Sequence, residues 1–269
     1  MKDVFGVGKV VEKLADPVVD LIKRVAGPAA DEVGLTFRDT VHVYRAQRAY
    51  KLAEKFRRYT TERGIEPTGI NLKLLLPILD GASVEGDEDL HTTWAHLLTN
   101  AVDPDSPVPV SVSFVNILKE LGPVEVKYIN ALYDNTIGVA ELPIGTHSVN
   151  GIRYTHADLM NIFVWADLAR SKNIDLRHMT EAYYRANKER VDADIRTFDL
   201  TLDVITRHDI LHGSPETVPL QIGEDDMYSI YGSVLKVEVF QHYTFSRLGE
   251  CFILACRPPQ PPAVRGVTA

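Results

Sequence analysis

The sequence predicts a mainly α-helical protein: a multi-helix domain with a small C-terminal winged-helix-like α+β module. Three observations carry this. Apolar residues recur every three or four positions through most of the chain, which is the period of one helix face. The stretch from Leu72 to Pro104 reads as two short helices joined by an acidic turn, with Leu90, Trp94, Leu97, Leu98 and Ala101 on one face. Only towards the end, in MYSIYGSVLKVEVFQHYTFS, does an alternation of apolar and aromatic residues fit one or two strands.

Composition sets the frame. A chain of 269 residues, 45% hydrophobic and 25% charged, is ordinary for a globular protein and long enough for one large domain or two small ones. Its formal charge of -8 argues against a protein that coats nucleic acid, while leaving room for a local basic patch. The start, MKDVFGVGKVVEKLADPVVDL, scatters charges through its apolar positions, unlike a secretory leader. No apolar run approaches the roughly 20 residues that span a bilayer. Cys251 and Cys256 are too few for a disulfide scaffold. A cytoplasmic location is the economical expectation.

From the N-terminus, Val7, Val10, Val11, Leu14, Val18, Leu21, Ile22 and Val25 fall on one face of a helix. Asp16 and Pro17 suit the cap and first position of a new helix, so the segment is one kinked helix or two abutting ones. Gly27-Pro28 stops it. A second helix is expected from about Leu35 to Tyr59, with Ala46, Ala49, Tyr50, Ala53 and Phe56 buried, and Arg63-Gly64 ends it. The two helices of Leu72–Pro104 follow, and the proline-rich run to Pro109 breaks the pattern. Helix resumes from Ser113 to Tyr133, punctuated at Gly122-Pro123.

Between Ile137 and Tyr154 the texture turns β-branched and Gly-rich, fit for an irregular loop or a small hairpin. Helices return in HADLMNIFVWADLARS and in MTEAYYRANKERVDADIRTFDLTLDVITRHDIL. HGSPETVPLQIGEDD is expected as loop before the strands, and LGECFILACR as a closing helix. Helix, strand pair and short helix in that order resemble the second half of a winged-helix module. The expected division is 1–34, an amphipathic helical segment; 35–135, a helical core; 136–185, an irregular insert plus helices; 186–257, the winged-helix-like module; and 258–269, a disordered tail.

The chain resembles the Abi-alpha (abortive infection alpha) family, a mostly helical bacterial and phage-associated group linked to phage resistance. The likeness rests on ILDGASVEGDEDLHTTWAHLLTNAVDP, SFVNILKELGPVEVKYINALY and YTFSRLGECFILACRPP, and covers roughly Val7 to Pro259. It implies a setting in defence. The family brings no established catalytic residues, so none is carried over; the longer irregular piece around Ile137–Tyr154 is a departure from it.

Four features could carry chemistry. Glu85, Asp87, Glu88 and Asp89 with His91 and His96 are metal-ligand types, yet acids at a helix start cap N–H groups and complement the dipole, which is the reading adopted. Arg207-His208-Asp209-Ile210-Leu211-His212 matches the arginine, polar residue, three spacers, histidine spacing of HEPN ribonucleases, where the pair would activate a ribose hydroxyl without a metal. Val204, Ile205, Ile210 and Leu211 read instead as a core-facing helix end, with Arg207 and His208 in its solvated last turn. Arg45, Arg48, Lys51, Lys55 and Arg58 form a basic ridge able to meet phosphates, or to pair with neighbouring acids. The stripe of residues Val7 to Val25 could lie in a membrane interface or pack on the domain.

Trp94 and Trp165 sit in apolar stripes and are expected in the core, as are the two cysteines. The leading expectation is therefore a phage-defence protein acting through protein interactions, with no cofactor or metal, and with a protein partner or a second copy of itself. A ribonuclease using Arg207 and His212, and a membrane-active effector using the N-terminal helix, stand as alternatives. Nucleic acid and peripheral membrane are the further partners these would imply.

Overall fold

The computed structural model describes residues 20, 21, 24, 43–139, 152–168, 181–219 and 237–259. The described residues are mostly helical, with a small antiparallel sheet near the C-terminus, in agreement with the expected fold class. The chain divides into two compact units, residues 1–126 with 251–269, and residues 127–250.

The first unit is built on α1 (Val43–Arg63), α2 (Leu72–Val84), α3 (Glu88–Val102) and α4 (Val112–Glu120). Helix α1 buries Ala46, Ala49, Leu52, Ala53 and Phe56, and ends where Gly64 turns to φ 63°, a conformation glycine adopts without steric cost. The expected stop at Arg63-Gly64 is thus observed. Asn71 caps α2 through a 2.8 Å bond from the Lys73 amide, and Asp87 caps α3 through a 2.8 Å bond from that of Leu90. The two helices and acidic turn expected between Leu72 and Pro104 are there.

Helix α3 is buried almost all round, from Leu90 through Val102, so it is the central element of this unit. It packs against α1 and α2, and Trp94 and Leu98 are core residues as expected. The Asn100 amide donates to the carbonyls of Ala255 and Arg257 at 2.8 and 2.9 Å, which ties the final helical turn to it. Asp80 of α2 pairs with Arg45 of α1 at 2.5 Å and with Lys119 of α4 at 3.4 Å.

The second unit contains most of α5 (Pro123–Val139), β1 (Tyr154–Thr155), α6 (His156–Trp165), α7 (Glu181–Arg207), β2 (Leu211–Pro219) and β3 (Val237–Phe245). The last helix, α8 (Arg247–Cys256), begins in this unit and ends in the first. Tyr128, Phe163 and Phe198 meet edge to face with ring centroids 5.5 to 6.1 Å apart. The Tyr128 hydroxyl donates to the Leu159 carbonyl at 2.9 Å, as a buried phenol requires. Thr155 and Asp158 form a reciprocal capping box at the start of α6.

The sheet order is β1-β3-β2, every pair antiparallel, with β3 central. Two expectations are corrected here. His212 to Pro219, read as loop, form most of β2, with Leu211 opposite Phe245 and Pro219 opposite Val237. Pro215 and Pro219 are tolerated because β2 is an edge strand among the described residues, where an absent N–H need cost no ladder bond. Trp165, expected in the core, is 74% exposed at the end of α6. Its helix is apolar nearly all round, and Phe163 rather than Trp165 faces inward.

Of the segment Ile137–Tyr154, the first three residues belong to α5 and the last to β1, while 140–151 lie outside the described residues. So do the N-terminal 1–34, apart from Asp20, Leu21 and Arg24, and the tail beyond Pro259.

Candidate functional site

Cations on one face of α1 meet one carboxylate at the start of α3. Their spacing of three or four residues puts Arg48, Lys51 and Lys55 on a common side of the helix. Glu88 stands opposite them, within 3.1 Å of Arg48, 3.6 Å of Lys51 and 2.6 Å of Lys55. Its hydrogen bond from Lys55, then the charges and bonds of its neighbours, outweigh partial burial and hold its carboxyl at a pKa of about 2. Arg48 is 7% exposed and also donates to the Asp87 carbonyl at 3.2 Å, while its buried Nε has no partner among the described residues.

His91 completes the cluster from within. It is fully buried, with Nδ1 3.2 Å from Lys55 Nζ and Nε2 3.0 Å from the Arg48 carbonyl. An ammonium can only donate, so Nδ1 accepts and Nε2–H donates to the carbonyl, which fixes the neutral tautomer. Burial first, then the charges of Arg48 and Lys55, lower its pKa to about 4. Five residues on, His96 is held at about 4 mainly by burial, and its ring lies 4.7 Å from that of Tyr59 on α1.

Of the five residues in the basic ridge, Arg45 is engaged by Asp80 and by Ser83 at 2.9 Å, and Arg48 and Lys55 by Glu88. Lys51 is half exposed, and Arg58 lies exposed over the Tyr59 ring at 4.8 Å. Periodicity found the ridge; it could not show which carboxylate, dozens of residues away, would answer it.

Of the acids around the start of α3, Glu88 answers α1, while Asp87 and Glu85 serve the helix start. Besides the Asp87 cap, Glu85 accepts from the Asp87 amide at 2.8 Å. Among the described residues no three His, Cys, Asp or Glu side chains gather in a way that could hold a metal ion.

Arg207 and His212 are placed on different elements. Arg207 ends α7, exposed, with its guanidinium 3.4 Å from Asp203 one turn back. His212 is exposed on β2 opposite Thr244. Cross-strand partners share a sheet face, so it points to the face opposite that of Gly213 and Tyr243. No hydrogen bond joins the two among the described residues.

Leu21, from the N-terminal stripe, is 3% exposed and shares a small cavity with Tyr50, Ala53 and Phe56 of α1, while Asp20 and Arg24 pair at the surface. Among the described residues no helix is long and apolar enough to cross a membrane.

Residues 45–256 match the family model described as abortive infection alpha. No curated protein and no solved structure matches the chain.

Proposed function

The chain belongs to the abortive infection alpha family, whose setting is phage defence, and from that premise we propose that it acts by protein contact, as an oligomer, rather than by catalysis. The observation that supports this reading is Trp165. A tryptophan 74% exposed at a helix end holds a large apolar ring in water, and Leu200 on α7 is 68% exposed as well. Tryptophan is enriched among residues that dominate binding energy at protein interfaces, where burial recovers the solvation cost.

The polar clusters support the same reading from the other side. Glu88 with Arg48, Lys51 and Lys55, and Asp80 with Arg45 and Lys119, join helices of one unit to each other. Part of this reading is a winged-helix-like C-terminal module, supported by the order α7, β2, β3, α8. A cytoplasmic location is supported by Cys251 and Cys256, both free thiols.

Sedimentation velocity tests the contact. The wild-type chain is expected to sediment as a species larger than its 30.0 kDa monomer, and Trp165→Glu to shift it towards the monomer. A wild type that stays monomeric at every concentration would remove the oligomer.

A further inference from the structure

Alongside the Glu88 cluster, an open groove of about 750 Å³ runs down the outer side of α1. Lys51, Lys55, Arg57 and Arg58 line it, and the carboxylates facing it are Glu54, Glu62 and Glu88. Arg48 lies against its edge through Glu88. Among the residues that line the groove, four cations meet three carboxylates, an excess of one positive charge. Glu88 divides its single charge among three cations, and Glu62 is a distant 4.0 Å from Arg58.

Two further features mark this seam. The buried Nε of Arg48 is left without a partner among the described residues, although a guanidinium can satisfy all its donors where acceptors are plentiful. The neighbouring imidazoles register the field: after burial, the charges of Arg48 and Lys55 depress His91, and those of Lys55, Arg58 and Arg257 depress His96.

Geometry narrows the ligand. From Lys51 to Glu62 the helix advances roughly 16 Å, enough for one or two phosphates and a sugar. A long polyanion would have to pass Glu54 and Glu62, where its phosphates meet like charge. In a small ligand those carboxylates can instead accept hydrogen bonds from hydroxyls or amines while the cations take the phosphate. We propose that this groove binds a phosphorylated small molecule of nucleotide size, its phosphate held by Lys51, Arg57 and Arg58, while Lys55 stays committed to Glu88, His91 and Thr92.

Calorimetric titration of the full chain at low salt with pyrophosphate, ATP and a short single-stranded RNA tests this. Pyrophosphate and ATP are expected to bind more tightly than about 1 mM, and Lys51→Glu or Arg58→Glu to weaken each by about tenfold or more. Both side chains are exposed, and an unchanged circular dichroism spectrum would show that the variants fold. Trp165→Glu should bind both ligands normally, so failure here is distinct from failure of the oligomer. Absence of binding by either phosphate compound would overturn the proposal, as would equal affinity in the variants. RNA binding more than about tenfold tighter than ATP would overturn it too, and place a nucleic-acid backbone in the groove.

Discussion

Gly81 and Trp94 interlock: a Cβ on the glycine would lie 2.5 Å from Cη2 of the indole and 2.6 Å from Cζ2. The ring of α3 therefore fills the space that α2 leaves by carrying no side chain there. Both are buried, and the contact sets how closely the two helices approach.

Gly81→Ala is expected to destabilise the first unit although alanine is the better helix former. Propensity would favour it by about 1 kcal/mol, but overpacking against a fixed indole costs about 1–3 kcal/mol. Denaturant unfolding followed by Trp94 fluorescence, in a Trp165→Phe background, reads the difference. A stabilised Gly81→Ala protein would show that the ring moves aside freely.

Acid should weaken the packing of α3. His91 and His96 are held at about 4 in the folded chain, against 6.5 for an unhindered imidazole. Between those values the unfolded chain binds more protons, so stability falls as pH drops from about 6.5 towards 4. Glu88, held at about 2 against 4.5, adds a further loss of the same sign from about 4.5 down to 2. Melting temperature measured against pH should show this, and His91→Gln should flatten the upper part of the decline. A Tm independent of pH between 6.5 and 4 would contradict the buried, neutral imidazoles.

Glu88→Gln should cost about 1–2 kcal/mol, modest because the carboxylate is more than half exposed and its attraction is screened. The loss comes from leaving Arg48 and Lys55, both largely buried, with a weaker acceptor. Urea unfolding at neutral pH checks it. The difference should vanish near pH 2, where the wild-type carboxyl is itself taking up its proton.

Purified protein should leave RNA intact, and His212→Ala should change nothing. Arg207 faces Asp203, and among the described residues no bond joins His212, on the sheet, to it. Degradation of a labelled RNA that disappears in both Arg207→Ala and His212→Ala would establish the ribonuclease alternative.

What the sequence revealed and what it hid have the same cause. Leu90, Trp94, Leu97 and Leu98 are legible because a helix face is a local pattern, and the core they form follows from it. The cap at Asp87 and the stop at Gly64 are equally local. Strand β2 was hidden because Gly213, Pro215 and Glu216 are poor strand formers; its pairing with β3, 18 to 34 residues on, decides the matter. Trp165 was misplaced because an almost wholly apolar helix has no periodic signal to say which ring is left outside. The cations of α1 could be aligned from spacing, but Glu88, 40 residues from Arg48, becomes their partner only once α1 and α3 pack.

The most direct test is a phage challenge of cells expressing the wild type, Trp165→Glu or the Arg207→Ala/His212→Ala double variant, at matched protein levels. If contact through the exposed ring carries the defence, Trp165→Glu loses protection while the double variant keeps it. Full protection by Trp165→Glu, together with loss in the double variant, would contradict the account.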